Sequence, residues 1–385
     1  MKIKLLIIGC LVVCFAFISC EKEHGPTIDD HFLSYEIQDV PVTQDYLVGV
    51  EYRFTSSYGN AMYKSLFAKT PILGEYTNIR NTLANSTALV VDSHLVWMNK
   101  AKIDFVILTI RSGSTAASSY NSDTVYVNRI LKSPYLGNVK IAFAYDYGGL
   151  GLGSVVPTPN DSSMIIEKKA NALDNYIKDY TTFFEPYFNH PNYMKIGNKN
   201  LVFLKNAYRL WAKDNPGVTL KLKNALREKG KEIFLVGEQE AWSPPQRYEH
   251  RFRNAVDGIY HANFLSIATN DLTRLYQFHQ VTDQNWKYSK KMFNDWDVEY
   301  IPNIGPSRNS NLNSPNAISP YYNPYFEKDE SFFVKYCNVG KANSDMSRLI
   351  ILESWNYWTY DAQIEPATEY GEMYLKILKE QFKVK

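Results

Sequence analysis

The sequence is poor in cysteine: of four in 385 residues, Cys10, Cys14 and Cys20 lie in the first twenty and only Cys337 lies beyond. A disulfide within the body of the chain is therefore excluded. Charge of either sign is not in excess, since 42 Lys and Arg against 40 Asp and Glu leave +2, and no basic run of five residues occurs. That balance argues against nucleic acid as a partner. The histidines form no His-Glu-x-x-His pair and no paired His/Cys spacing, so no zinc site is expected, and no Gly-x-Ser-x-Gly elbow is present. No cofactor is implied. Neither an internal repeat nor a Pro/Gly/Ser linker divides the chain.

The amino terminus reads as a leader. Lys2 and Lys4 precede an apolar run from Leu5 to Ile18 that is short for a membrane span. Phe17-Ile18-Ser19-Cys20 resembles a lipoprotein cleavage box, which would make Cys20 the lipidated terminus of the mature chain. The acidic start of the polar stretch that follows resembles the export signal of Bacteroidetes-type surface lipoproteins; a periplasm-facing outer-membrane lipoprotein is the alternative. The expected organisation is a signal peptide at 1–19, a tether at 20–37 and one domain at 38–385, working as a monomer.

In that domain, apolar and β-branched runs alternate with helical patterns. Strands are expected at Tyr46 to Phe54, Ile103 to Ile110, Val139 to Tyr145, Leu201 to Leu204, Glu232 to Val236, Val256 to Tyr260, Val298 to Ile304 and Leu349 to Ser354. Between them, Ile166 to Phe184 has helical spacing, with Asp161 or Ser162 as cap and Pro186 as stop. Leu222 and Leu226 belong to a helix ended near Gly230, and Asp92 or Ser93 caps a helix through His94, which is expected to cover the barrel. Eight strand–helix units predict a right-handed (β/α)8 TIM barrel, a single domain with extended βα loops, whose function sits after the strands. An open doubly wound sheet is the competing arrangement.

Aromatic residues make up 15% of the chain, with 29 tyrosines. Rings that pack on sugar C–H groups while a phenol bonds a hydroxyl suit carbohydrate contact, although tyrosine also fills cores. The rings concentrate after the last strand, where Trp355, Asn356, Tyr357, Trp358, Tyr360, Asp361, Gln363 and Glu365 form one turn before a helix. Two further loops stand out. Tyr147 to Ser154 is glycine-rich but leads into Val155, Val156 and Pro157 rather than a helix, so it reads as a flap and not a phosphate loop. Gly305 to about Tyr325 is long, polar and carries Arg308, Tyr321, Tyr322 and Tyr325.

The last segment, with Ser354, Asn356, Trp358, Gln363-Ile364-Glu365-Pro366 and Tyr370-Gly371, resembles the carboxyl-terminal signature of glycoside hydrolase family 99 and its relatives. Ile301 to Pro306, His190 to Phe203 and Pro71 to Tyr76 resemble other segments of that family, in the right order. The resemblance implies a (β/α)8 barrel hydrolysing α-mannan or a related polysaccharide. One departure is pronounced: the family's Asn-Glu-Trp-His-Glu reads here Asn356-Tyr357-Trp358-Thr359-Tyr360, so both catalytic glutamates align with tyrosines. A phenol with an ordinary pKa of about 10 replaces neither an acid nor a base easily.

Carboxylates elsewhere must then do the chemistry. Glu353 with Asp361 is the leading pair and Glu238 the next choice; Glu51, Asp146 and Glu240 also fall at strand ends. Tyr357 and Tyr360 would line the reacting sugar, Trp355 and Trp358 would stack on it or close the barrel mouth by packing, and Asn356, Gln363, Asp146, His261 and Arg308 would contact it. Asp361 is equally a turn former and Glu365 a first-turn charge facing its helix. Because side chains alternate along a strand, Glu353 faces the helices if Ser354 and Asn356 face the axis. A glycan-binding lipoprotein that has lost its chemistry is the second expectation.

Overall fold

A computed structural model describes residues 33, 35–55, 69–152, 165–266, 276–313 and 325–384. Cys20, Asp161, Ser162, Tyr321 and Tyr322, and the loop beyond Leu152 with Val155 and Val156, lie outside them. Residues from Ile37 onward form one compact unit.

Its barrel strands are β1 (Leu47–Glu51), β2 (Phe105–Arg111), β3 (Lys140–Asp146), β4 (Lys199–Leu204), β5 (Ile233–Gln239), β6 (Gly258–His261), an interrupted β7 (Glu299–Tyr300 and Asn303–Ile304) and β8 (Leu349–Leu352). Each pairs in parallel with its sequence neighbours, and β8 pairs with β1. The first half of β7 pairs with β6 and the second half with β8, with Ile301 N–H donating to Ile259 at 2.8 Å and Ile351 N–H donating to Pro302 at 2.9 Å. The two borders of the sheet thus belong to one stretch of chain, and the sheet closes into a (β/α)8 barrel. All eight expected strands are present, most displaced by one to three residues at their ends.

Among the described residues the longer helices are α1 (Val90–Lys100), α2 (Ala117–Leu131), α3 (Ala172–Lys178), α4 (Asn215–Arg227), α5 (Phe278–Asn294), α6 (Glu330–Asn343) and α7 (Met373–Phe382). Three expectations about them fail. Asp92 does not cap α1; it lies inside the first turn, buried, and accepts from Ser133 Oγ at 2.6 Å. Ile166 precedes α3 instead of belonging to it. Pro186 does not end the α3 run, because a π-turn at Asp179–Phe184 leads into Glu185–Phe188 with Pro186 in the first turn, where a missing N–H costs nothing.

Alternation along the strands divides the apolar residues into two cores. Phe105, Ile107, Ala142, Ala144, Leu201, Phe203, Val236, Tyr260, Ile301, Leu349 and Ile351 fill the barrel. Val48, Val50, Val106, Leu108, Ile141, Phe143, Val202, Leu235, Ile350 and Leu352 face the helices. Gly49 makes room for the interior ring of Phe105, since a Cβ there would fall 2.2 Å from it. One step further along seven of the eight interior rows, the residues become polar, the β6 row continuing instead to Ala262. Glu51, Thr109, Asp146, Lys205, Glu238, Asn303 and Glu353 continue those rows at the carboxyl ends of the strands.

Candidate active site

Those row ends enclose a cavity of about 840 Å³ lined by Glu51, Arg53, Arg111, Asp146, Lys205, Glu238, Arg308 and Glu353 among others. This is the face where (β/α)8 proteins build their sites.

Glu353 continues the row of Leu349 and Ile351, so it points to the axis while Ser354 is buried on the other side. Its Oε1 accepts from Arg308 Nη1 at 2.8 Å and its Oε2 from Asn263 Nδ2. Burial raises its carboxyl above the usual range, against the opposing pull of Arg308.

Across the mouth, Lys205 Nζ lies 2.9 Å from Glu51 Oε2 and 3.5 Å from both Glu238 Oε1 and the Tyr260 hydroxyl. Glu238 Oε2 also accepts from the Asn206 amide at 2.6 Å. Burial by itself would lift the Glu51 carboxyl, but Lys205 and Arg53 together hold it below the ordinary carboxylate range. Burial would likewise lower the Lys205 ammonium, yet Glu238 and Glu51 keep its pKa well above that of a free lysine. On the β2–β3 side, Arg111 donates to both oxygens of Asp123, at 3.0 and 2.5 Å, and is in register with Asp146. Asp146 accepts from the Gly148 amide at 2.9 Å, which folds the first turn of the glycine-rich loop.

The turn after β8 supplies less of the cavity than its composition suggests. Trp355 and Trp358 are fully buried and do not line it; Trp355 packs in the core between sheet and helices, against His94. Trp358 Nε1 donates to Glu365 Oε2 at 2.9 Å, Tyr76 donates to the same oxygen at 2.6 Å, and His94 Nε2 lies 3.0 Å from Oε1. Glu365 is thus the buried anchor of the turn rather than a first-turn surface charge. His94, which also bonds the Tyr52 hydroxyl at 2.8 Å, belongs to that anchor.

Asn356 is buried and pairs both its amide atoms with the Arg53 backbone at 3.0 Å, so it fixes the exit of β1. Gln363 is buried too, donating to Asp361 Oδ1 at 3.1 Å. Asp361 cannot partner Glu353. It sits in a left-handed turn at φ 54°, buried beside the Lys328 ammonium at 3.7 Å, and is absent from the cavity wall. Burial raises its carboxyl despite Lys328. His261 is also structural: Tyr300 and the Ser243 carbonyl hold its two nitrogens at 2.9 and 3.0 Å, and burial lowers its pKa to about 4.

Tyr357 and Tyr360 are half-buried, their rings 4.9 Å apart and edge to face. The Arg53 guanidinium lies 3.5 Å from the Tyr357 ring centre and that of Arg308 lies 4.5 Å from the Tyr360 ring centre. The loop bearing Arg308 is pinned at its base: Arg308 and Phe326 exchange backbone hydrogen bonds of 3.0 and 2.9 Å, and Lys328 Nζ donates to the carbonyls of Asp361 and Gln363 at 3.0 and 2.7 Å. Tyr325 turns to Glu327 at 3.0 Å.

Of the residues singled out from sequence, the barrel mouth unites Glu353, Glu238, Glu51, Asp146, Glu240 and Arg308. Its wall does not include Asp361, His261, Trp355, Asn356, Trp358 or Gln363, nor Tyr357 and Tyr360, whose rings lie behind the guanidinium groups of Arg53 and Arg308. Arg53, Arg111, Lys205, Asn206 and Asn263 were missed; extending the alternation past the last apolar residue would have found Arg53, Arg111 and Lys205, whereas Asn206 and Asn263 fall one residue off the interior rows.

Fold and mouth together define a (β/α)8 protein of the glycoside-hydrolase kind, with charged side chains converging on an open cavity. The chain belongs to the family described as glycosyltransferase WbsX, whose model matches residues 158–378, more than half of the sequence. A solved structure titled "Glycoside hydrolase-like protein" is 31% identical, with a TM-score of 0.79, covering 93% of this chain and 99% of that one. The family 99 endo-α-mannosidase of Bacteroides thetaiotaomicron is 16% identical with a TM-score of 0.56, covering 88% and 96%, and so shares the fold. No curated protein matches in sequence.

Proposed function

We propose that the protein is a glycan-processing enzyme that cleaves glycosidic bonds at the barrel mouth, with Glu353 as general acid and Glu238 as nucleophile or base. The observation that carries this reading is that both carboxylates line one open cavity in different settings. Glu353 is raised by burial, the direction a general acid needs, while Glu238 is held by an ammonium and a backbone amide. Glu238 replaces Asp361 as the partner of Glu353. The tyrosines at the aligned positions of the family's glutamates then support Arg53 and Arg308 at the cavity wall instead of reacting with the sugar. An α-mannan-like polysaccharide is the first substrate to try, and the chain is proposed to act at the cell surface, held by lipid at Cys20.

Incubation with α-mannans and a panel of bacterial and host glycans tests the reading. Oligosaccharide release that disappears in both Glu353→Gln and Glu238→Gln supports it, and no release from any glycan refutes it.

A second reading, a barrel that binds glycan without cleaving it, draws on one observation. Lys205 already occupies the space between Glu51 and Glu238. On that reading, immobilised polysaccharide retards the protein in electrophoresis while its products never appear.

A further inference from the structure

Most cations of the mouth are tied to a carboxylate by hydrogen bonds, and Arg53 is tied least; among the described carboxylates Asp146 has no cation on it. Arg111 is spent on Asp123, Lys205 on Glu51 and Glu238, and Arg308 on Glu353. Arg53 is held more loosely: its Nη2 stands 3.6 Å from a Glu51 carboxylate whose other oxygen Lys205 holds at 2.9 Å, so it shares that charge without a hydrogen bond. Among the described residues its guanidinium donates no hydrogen bond, and its Nε is buried without a partner. Arg308 uses one donor on Glu353, and its Nε is also buried and unpaired. Both groups line the cavity, and both lie over tyrosine rings that are themselves in contact. Stacking fixes the plane of a guanidinium and leaves its edge donors for a planar or tetrahedral oxyanion.

We propose that the cavity takes an acidic glycan, and that Arg53, with Arg308 beside it, binds an anionic substituent of the sugar, a carboxylate of the uronic-acid kind or a sulfate. The proposal rests on the carbohydrate reading above and sharpens its substrate class. Fork-like, charge-assisted hydrogen bonds select such a group over a neutral hydroxymethyl. Asp146 does not cancel the arrangement, because it stands on β3 in register with Arg111, whereas Arg53 and Arg308 flank β8.

The test is calorimetric titration of the full mature chain with short oligosaccharides of three kinds: oligogalacturonate, a sulfated oligosaccharide and α-mannan fragments. An acidic oligosaccharide binds, and Arg53→Gln weakens it by about ten- to a hundredfold, the cost of losing hydrogen bonds to a charged group. Arg53→Lys restores only part, because the fork and the stack are lost. Arg227→Gln, which alters an exposed ion pair far from the mouth, leaves binding unchanged and controls for net charge. Whether the carboxylated or the sulfated ligand responds identifies the oxyanion. Binding of the mannan fragments alone, or acidic binding indifferent to Arg53→Gln, overturns this proposal and leaves the carbohydrate reading standing. Binding of none of the three overturns both.

Discussion

Lys205→Met is the substitution that best probes how the mouth is held together. It removes the ammonium that bridges Glu51 and Glu238 and leaves two carboxylates facing one cavity. The side chains of Lys205, Glu51 and Glu238 are 19%, 19% and 9% exposed, so the bridge is neither a surface pair nor a sealed one. Breaking a buried pair costs about 3–5 kcal/mol because a charge is left uncompensated, and the residual exposure places the loss near the lower end, at about 3 kcal/mol near neutral pH. The pH dependence carries a sign. Glu51 is depressed in the folded protein, so its stabilisation is full above its unfolded value of about 4.3 and disappears as pH falls through the lower folded value. Lys205, raised in the folded state, stays protonated throughout that window. In the variant, burial acts on Glu51 without its ammonium, so the carboxyl takes up a proton at higher pH and relieves the strain. The gap between wild type and variant is therefore widest near neutrality and narrows as the solution becomes acid. Urea unfolding by tryptophan fluorescence, near pH 7 and near pH 4 with equal m-values, measures it. A gap below about 1 kcal/mol at neutrality, or one that stays constant into acid, would refute the bridge as an energetic unit.

Two further predictions concern parts distant from the chemistry. Glu365→Leu orphans Tyr76, Trp358 and His94 in a fully buried setting and lowers stability by about 3 kcal/mol or more, whereas Glu353→Leu on the open mouth costs less; the two denaturation midpoints decide it. Cys20→Ala abolishes incorporation of labelled palmitate and releases the protein from the membrane fraction; labelling that persists would exclude Cys20 as the anchor.

The barrel was legible because parallel strands covered on both faces are written as apolar runs, and all eight could be read as such. Even β7 was recognisable, although Pro302 interrupts its ladder and splits it into two pairs of residues. The site was less legible, for a reason visible at Glu353. Its orientation depends on whether Leu349 or Ile350 faces the axis, and both are apolar because both faces of β8 are buried. The ring-rich turn misled for a related reason. Asn356, Trp358, Asp361 and Gln363 have polar atoms suited to sugar, but these are spent within the protein. Asn356 is spent on the Arg53 backbone and Asp361 on Lys328, both distant in sequence, and Trp358 on Glu365 and Gln363 on Asp361 within the turn itself, while the Trp355 indole is fully buried. His261 likewise meets Tyr300 and Ser243 only once β6 and β7 are side by side. The helix errors are local: a π-turn that carries Pro186 through a bend leaves no mark in the apolar spacing.

The central claim is that Glu353 delivers a proton to the departing oxygen of a glycan held in the mouth cavity. Rates of Glu353→Gln on a natural oligosaccharide and on an aryl glycoside whose phenolate leaves without protonation test it most directly, once a cleaved glycan has fixed the sugar. The account predicts a loss of about a hundredfold or more on the oligosaccharide and little on the aryl glycoside. Equal losses on both, or none on either, would contradict it.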